Sequence, residues 1–104
     1  MGRKVVWSRQ ALDDLDEIER FIQQDSDFYA RAVVQRLLDV AESVADQPQM
    51  GRRVSEFDLD SVRERIVYSY RVIYRLSEFL IEIVAVIHGG RLIRPVAARL
   101  TSPS

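Results

Sequence analysis

Between Arg9 and about Gln24 the apolar residues Ala11, Leu12, Leu15, Ile18, Phe21 and Ile22 recur mostly at steps of three and four. That spacing gathers them on one stripe of an amphipathic helix. Ser8 stands just before the run, where a hydroxyl can cap the first unpaired N–H groups. Asp13, Asp14, Asp16 and Glu17 come early in this helix, and carboxylates there favour the positive end of its dipole. Asp25-Ser26-Asp27 breaks the period and offers caps for a second helix. That helix is predicted from about Phe28 to Asp46, with Val33, Val34, Leu37, Leu38, Ala41, Val44 and Ala45 on its apolar side. Pro48 and Gly51 end it, as turn residues do. Two amphipathic helices joined by so short a connection read as an antiparallel helical hairpin.

Elsewhere the period shortens to two. Lys4-Val5-Val6-Trp7 is a short β-prone run. Residues 52–61 are polar and without period, and read as a surface loop. Three strands follow: Val62 to Val67, Tyr70 to Leu76 and Leu80 to His88, with gaps short enough for hairpin turns. In the middle one Tyr70, Val72, Tyr74 and Leu76 face one way, and Arg71, Ile73 and Arg75 the other. The last is apolar on both faces except at Glu82 and His88, the pattern of a buried central strand. Gly89-Gly90 ends the sheet. Residues 91–100 show weak preference, and 101–104 read as a frayed tail behind a single domain spanning 1–100. The order is β-α-α-β-β-β. It implies a two-layer α+β domain, with the helical hairpin packed on one face of a small antiparallel sheet. The other face is expected to be partly open, with Arg71 and Arg75 on it.

Composition agrees and narrows the chemistry. At 104 residues, 47% hydrophobic and 30% charged, the chain suits one globular core and neither disorder nor a membrane span. It has no cysteine and one histidine, His88, so disulfides, thiolate sites and His-cluster zinc are excluded and no cofactor is expected. No signal-peptide pattern is visible, and a cytoplasmic protein is expected. The net charge of −1 hides an asymmetry. Residues 1–60 carry 8 basic and 13 acidic side chains, whereas residues 61–104 carry 7 basic and 3 acidic. Of the 15 basic residues 14 are arginine, whose planar fork suits carboxylate or phosphate.

Several segments, in order from residue 5 to 91, carry a family resemblance. They are Trp7-Ser8, Ala11, Asp14-Leu15, Ile18 and Phe21-Ile22, then Pro48 and Gly51-Arg52, then Tyr70-Arg71-Val72-Ile73-Tyr74, Ile81-Glu82-Ile83 and Val86-Ile87-His88-Gly89-Gly90-Arg91. The set resembles the RelE/ParE superfamily, the toxins of bacterial type II toxin–antitoxin modules. The resemblance implies the α+β fold derived above and a cytoplasmic setting. It also implies a cognate, ParD-like antitoxin whose C-terminal segment wraps the toxin, and contact with DNA only through that antitoxin.

The resemblance leaves two activities open. RelE-like members cut mRNA on the ribosome, and ParE-like members inhibit DNA gyrase without performing a reaction. RNA cleavage through the 2′-hydroxyl needs a base, a leaving-group acid and cations at the phosphate. Aligned with RelE, its two arginines match Arg71 and Arg91. Its lysine pair falls at Val62 and Glu64, or near Arg63 and Arg65, and its tyrosine at about Ala97. No tyrosine follows Tyr74. The phosphate-gripping half of that site is therefore available and the proton-transfer half is mostly missing. A second nuclease subgroup ends in a His-Tyr pair, whereas here Gly89 follows His88. The Val-x-His-x-x-Arg ending at Val86–Arg91 is like that of ParE members. The expected function is a non-catalytic gyrase-inhibiting toxin of the plasmid-stabilization kind, with His88, Arg91, Arg94 and Arg71 as candidate target contacts. The alternatives are a ribosome-dependent mRNA interferase and a non-toxic protein-binding module.

Overall fold

The predicted Ser8 cap forms, and of the three candidates at 25–27 it is Ser26 that caps the second helix. The computed structural model describes residues 3–57, 59–91 and 93–101. In it Ser8 Oγ accepts from the Ala11 N–H at 3.1 Å and opens helix α1, Arg9–Gln23. Ser26 Oγ accepts from the Tyr29 N–H at 3.0 Å at the start of α2, Asp27–Ser43. Helix α2 ends before the expected Asp46, and turns carry the chain on toward Pro48. The two helices bury Leu15, Ile18, Ile22, Val33, Leu37 and Val40 against the sheet. Phe21, expected on the apolar stripe, stays 67% exposed. No described helix is long and apolar enough to cross a membrane.

The sheet has five strands: β1 Lys4–Trp7, β2 Arg52–Arg53, β3 Val62–Val67, β4 Tyr70–Leu76 and β5 Leu80–His88. Their order is β1-β5-β4-β3-β2, so β5 is flanked on both sides, as its apolar run implies. The expected antiparallel sheet is corrected to a mixed one, because β1 runs parallel to β5, in register Lys4 with Leu80 and Trp7 with Ile83. Parallel pairing needs a long crossover, and the helical hairpin supplies part of it. The polar loop expected over 52–61 is also revised. Arg52–Arg53 pairs with Glu64 and Arg63, and Val54 is fully buried.

Strand alternation divides the side chains of β5 between two cores, and a register shift opposite Ile73 and Tyr74 puts the consecutive Val84 and Ala85 on the same side. Ile81, Ile83 and Val86 join the helices, while Val84, Ala85 and Ile87 face the opposite side. That side is open only in part, as expected. A short helix α3, Arg94–Thr101, lays Val96 on it, and Val54 and Phe57 add to the cover at that end. Residues 91–100 gave weak signals because only Val96 is buried in this helix and Pro95 sits in its first turn, where proline is tolerated. Arg75, expected on the partly open face, lies at its covered end, donating to Glu82 at 2.6 Å and to the Leu100 carbonyl at 2.9 Å. Thr101 closes α3, and the remainder of the expected frayed tail, 102–104, lies outside the described residues.

Tyr74 anchors the chain between α2 and β2. Its buried hydroxyl donates to the Pro48 carbonyl at 2.8 Å and accepts from the Gly51 N–H at 3.2 Å. A β-carbon at Gly51 would overlap that hydroxyl, so the close approach requires glycine. The dipole role expected for the acids of α1 is corrected too. None lies in the first turn, outside which the effect fades, and Asp14 instead holds Arg99 of α3.

Candidate target-binding cleft

Strand alternation places Val62, Glu64 and Ile66 of β3 and Arg71, Ile73 and Arg75 of β4 on the face away from the helical hairpin. Toward α3 the face is covered, and toward the β3–β4 turn it opens into a cleft of about 530 Å³. Arg71 and Glu64 lie on the floor, 9% and 3% exposed. Arg71 Nε donates to Glu64 Oε1 at 2.6 Å, and its two terminal nitrogens reach the Glu56 carboxylate at 3.2 and 3.1 Å. The second Glu64 oxygen accepts from Arg52 Nε at 2.8 Å. One buried carboxylate therefore bridges two guanidinium groups, as a buried ion requires.

Burial alone would lower the pKa of Arg71, but its bonds with Glu56 and Glu64 outweigh it and push the value up. The same contact, first among its causes, draws the Glu56 carboxyl below its ordinary value of 4.5. Among the described lining residues Arg52, Arg53 and Arg71 stand against Glu56 and Glu64. The cleft is close to neutral, and its deepest cation is already saturated by carboxylates.

His88 forms one wall. It is exposed at the end of β5, and its ring meets Tyr70 edge-to-face, with centroids 5.9 Å apart and planes at 88°. Nδ1 accepts from the Gly90 N–H at 3.3 Å, leaving Nε2 as the nitrogen for an outside partner. A second cleft of about 660 Å³ lies across this wall, lined by Ile18 and Phe21 of α1, Val86 of β5, and Arg91. Of the four candidate contacts, Arg71 floors the first cleft, Arg91 lines the second and His88 belongs to both. Arg94, exposed at the first position of α3, is outside both. Sequence reasoning did not single out Glu56 as a partner of Arg71. Glu64 carried a signal, a carboxylate alternating with Val62 on a strand, whereas nothing in residues 52–61 marked Glu56. Among the described residues no three His, Cys, Asp or Glu side chains gather to hold a metal ion.

The chain matches known proteins over most of its length. The family described as the ParE toxin of the type II toxin–antitoxin system parDE matches residues 5–93. Toxin RelE2 of Caulobacter vibrioides is 34% identical over 90 residues, covering 86% of this chain and 98% of that protein. The fold is similar to the chromosomal ParDE system of P. aeruginosa, with a TM-score of 0.70 at 20% identity over 83% of this chain and 95% of that one. It is also similar to the RelBE2 toxin–antitoxin complex of Mycobacterium tuberculosis, with a TM-score of 0.62 at 17% identity over 85% and 99%. With the mixed sheet, the helical hairpin and the ordered motifs from residue 5 onward, these matches make the chain a member of the ParE toxin family, a type II toxin–antitoxin toxin of the RelE/ParE superfamily.

Proposed function

We propose that this toxin inhibits DNA gyrase without catalysing a reaction, and that a ParD-like antitoxin restrains it in the cytoplasm. The observation that carries this reading is the Glu64–Arg71 pair at 2.6 Å. A nuclease of the RelE kind needs cations free to meet a phosphate and groups that move protons. Here Glu64 stands at one position of the strand lysine pair, and it neutralises the arginine meant for the phosphate. In the other alignment Arg63 stands near a lysine position, and it is committed to Asp60 and to the Gly51 carbonyl at 3.1 and 3.0 Å. Binding that does not favour the transition state gives no rate. His88, Arg91 and Arg94 are then target contacts, and Arg71 acts through the cleft it holds together.

The antitoxin reading draws support from the second cleft, where exposed Phe21 beside Ile18 suits the apolar side of an amphipathic segment. Contact with DNA would then pass through the antitoxin alone. A second reading, mRNA cleavage on the ribosome, draws on exposed His88 and on the name of the Caulobacter relative. One experiment separates them. Purified protein should inhibit supercoiling by gyrase and leave mRNA on translating ribosomes uncut. Cuts at the ribosomal A site that vanish in His88→Ala would overturn the gyrase reading and make His88 catalytic. Expression that does not arrest growth would favour the non-toxic binding module.

A further inference from the structure

Tyr68 has φ of 57°, and among the described residues no other non-glycine residue has a positive φ. It is the first central residue of the two-residue turn between β3 and β4, which the Val67–Tyr70 pair closes. Such turns favour glycine, asparagine or aspartate at a positive φ, because a β-carbon there crowds the following carbonyl. For a bulky side chain the conformation is strained. Packing does not repay it, since Tyr68 is 63% exposed. Ile66, on the same cleft, is 50% exposed. A strained aromatic ring held in water serves the fold poorly, and such strain gathers at sites of recognition.

The surroundings indicate what would be recognised. Arg52 and Arg53 line the same cleft with side chains 69% and 47% exposed. Arg52 Nε holds Glu64 at 2.8 Å and Arg53 Nε stands 3.7 Å from Asp60. A guanidinium carries five N–H donors, more than a single carboxylate takes up. Glu64 and Glu56 offset most of the positive charge there, so the near-neutral cleft suits one carboxylate on a protein better than the repeated phosphates of a nucleic-acid backbone. The turn is tied to the His88 segment, because the Gly89 N–H donates to the Ser69 carbonyl at 2.7 Å.

We propose that the hairpin tip at Tyr68, with Ile66 and the Arg52–Arg53 edge, grips the protein target of the toxin. The matching feature on the target is an apolar side chain beside a carboxylate. The proposal rests on the reading of the chain as a gyrase inhibitor, and it extends the target surface from His88 across the cleft to a residue no motif marks.

The test compares Tyr68→Gly and Tyr68→Phe in supercoiling, thermal unfolding and growth arrest. Tyr68→Gly should keep or raise Tm, because it relieves the backbone, and should weaken gyrase inhibition at least about tenfold, as loss of an interface anchor does. Tyr68→Phe should retain inhibition. A less stable Tyr68→Gly protein, or one that inhibits as well as the parent, overturns the proposal. If the parent protein itself does not inhibit gyrase, the gyrase reading fails, and growth arrest still decides for the hairpin. Arrest lost in Tyr68→Gly supports it, and arrest unchanged or absent in the parent overturns it. Binding of a single-stranded RNA oligomer that disappears in Tyr68→Gly would also overturn it, by making the partner a nucleic acid.

Discussion

Asp14 of α1 and Arg99 of α3 grip each other at two points, 2.7 and 3.1 Å, across 85 positions of sequence. Asp14 also accepts from the Val86 N–H at 2.9 Å, and Arg99 donates to the Val84 carbonyl at 3.1 Å. The pair therefore pins the first and last described helices to the same stretch of β5. Its side chains are 13% and 19% exposed, so water screens it little.

Replacing Asp14 by Ala should cost about 3 kcal/mol, because it leaves Arg99 and the Val86 N–H without their acceptor in a largely buried place. Arg99→Met should cost less, since Asp14 keeps its backbone donor. Urea midpoints measure the difference. Proteolysis within α3 should appear in both variants before global unfolding.

Breaking the floor of the cleft should be severe and mending it with apolar groups mild. Glu64→Ala strands Arg71 with Glu56 as its remaining carboxylate, and the expected cost is about 3 kcal/mol. The double variant Glu64→Leu with Arg71→Met removes both charges and should recover more than half of that loss. A double-mutant cycle by urea denaturation reads the coupling directly. A double variant no more stable than Glu64→Ala would show that the network holds the cleft by shape rather than by charge.

Acid should loosen the same cleft. The Glu56 carboxyl lies below its ordinary value of 4.5 in the folded protein, chiefly through Arg71. A carboxylate with a depressed pKa binds fewer protons folded than unfolded. The stability it contributes is therefore fully present above its unfolded value and is lost as pH falls through the folded one. The urea midpoint should drop below a pH of about 4.5, and Glu56→Gln should flatten part of that fall. Because the Glu56 side chain is 41% exposed, solvent screens the pair and the effect should be small.

Arg91 and Arg94 should separate toxicity from folding. Both are exposed, and Arg91 joins the fold through its backbone, donating to the His88 carbonyl at 2.9 Å. Changing both to Ala should leave stability within about 1 kcal/mol, as for most surface substitutions. Growth arrest on expression should weaken. A folded double variant of undiminished toxicity would remove this segment from the target surface.

The sequence alone determined the helical hairpin, the Ser8 cap and the bounds of the strands at 62–67, 70–76 and 80–88. These are local properties: a period of side chains or a hydroxyl next to a free N–H needs only neighbouring residues. Family membership was legible for the same reason, in short motifs kept in order. Tertiary structure decided the rest. No pattern in Lys4–Trp7 says which way the strand runs beside β5, because side-chain alternation is the same in either direction. Residues 94–101 are too weakly apolar to announce a helix, and their docking depends on a sheet face assembled from β3, β4 and β5. Above all, the meaning of each arginine was decided by contact. Arg71, Arg75 and Arg99 looked alike in the chain, and each is bound by a carboxylate that folding brings near. The Coulomb energy of a charge depends on distance and on the water excluded around it, and both are set only when distant segments meet.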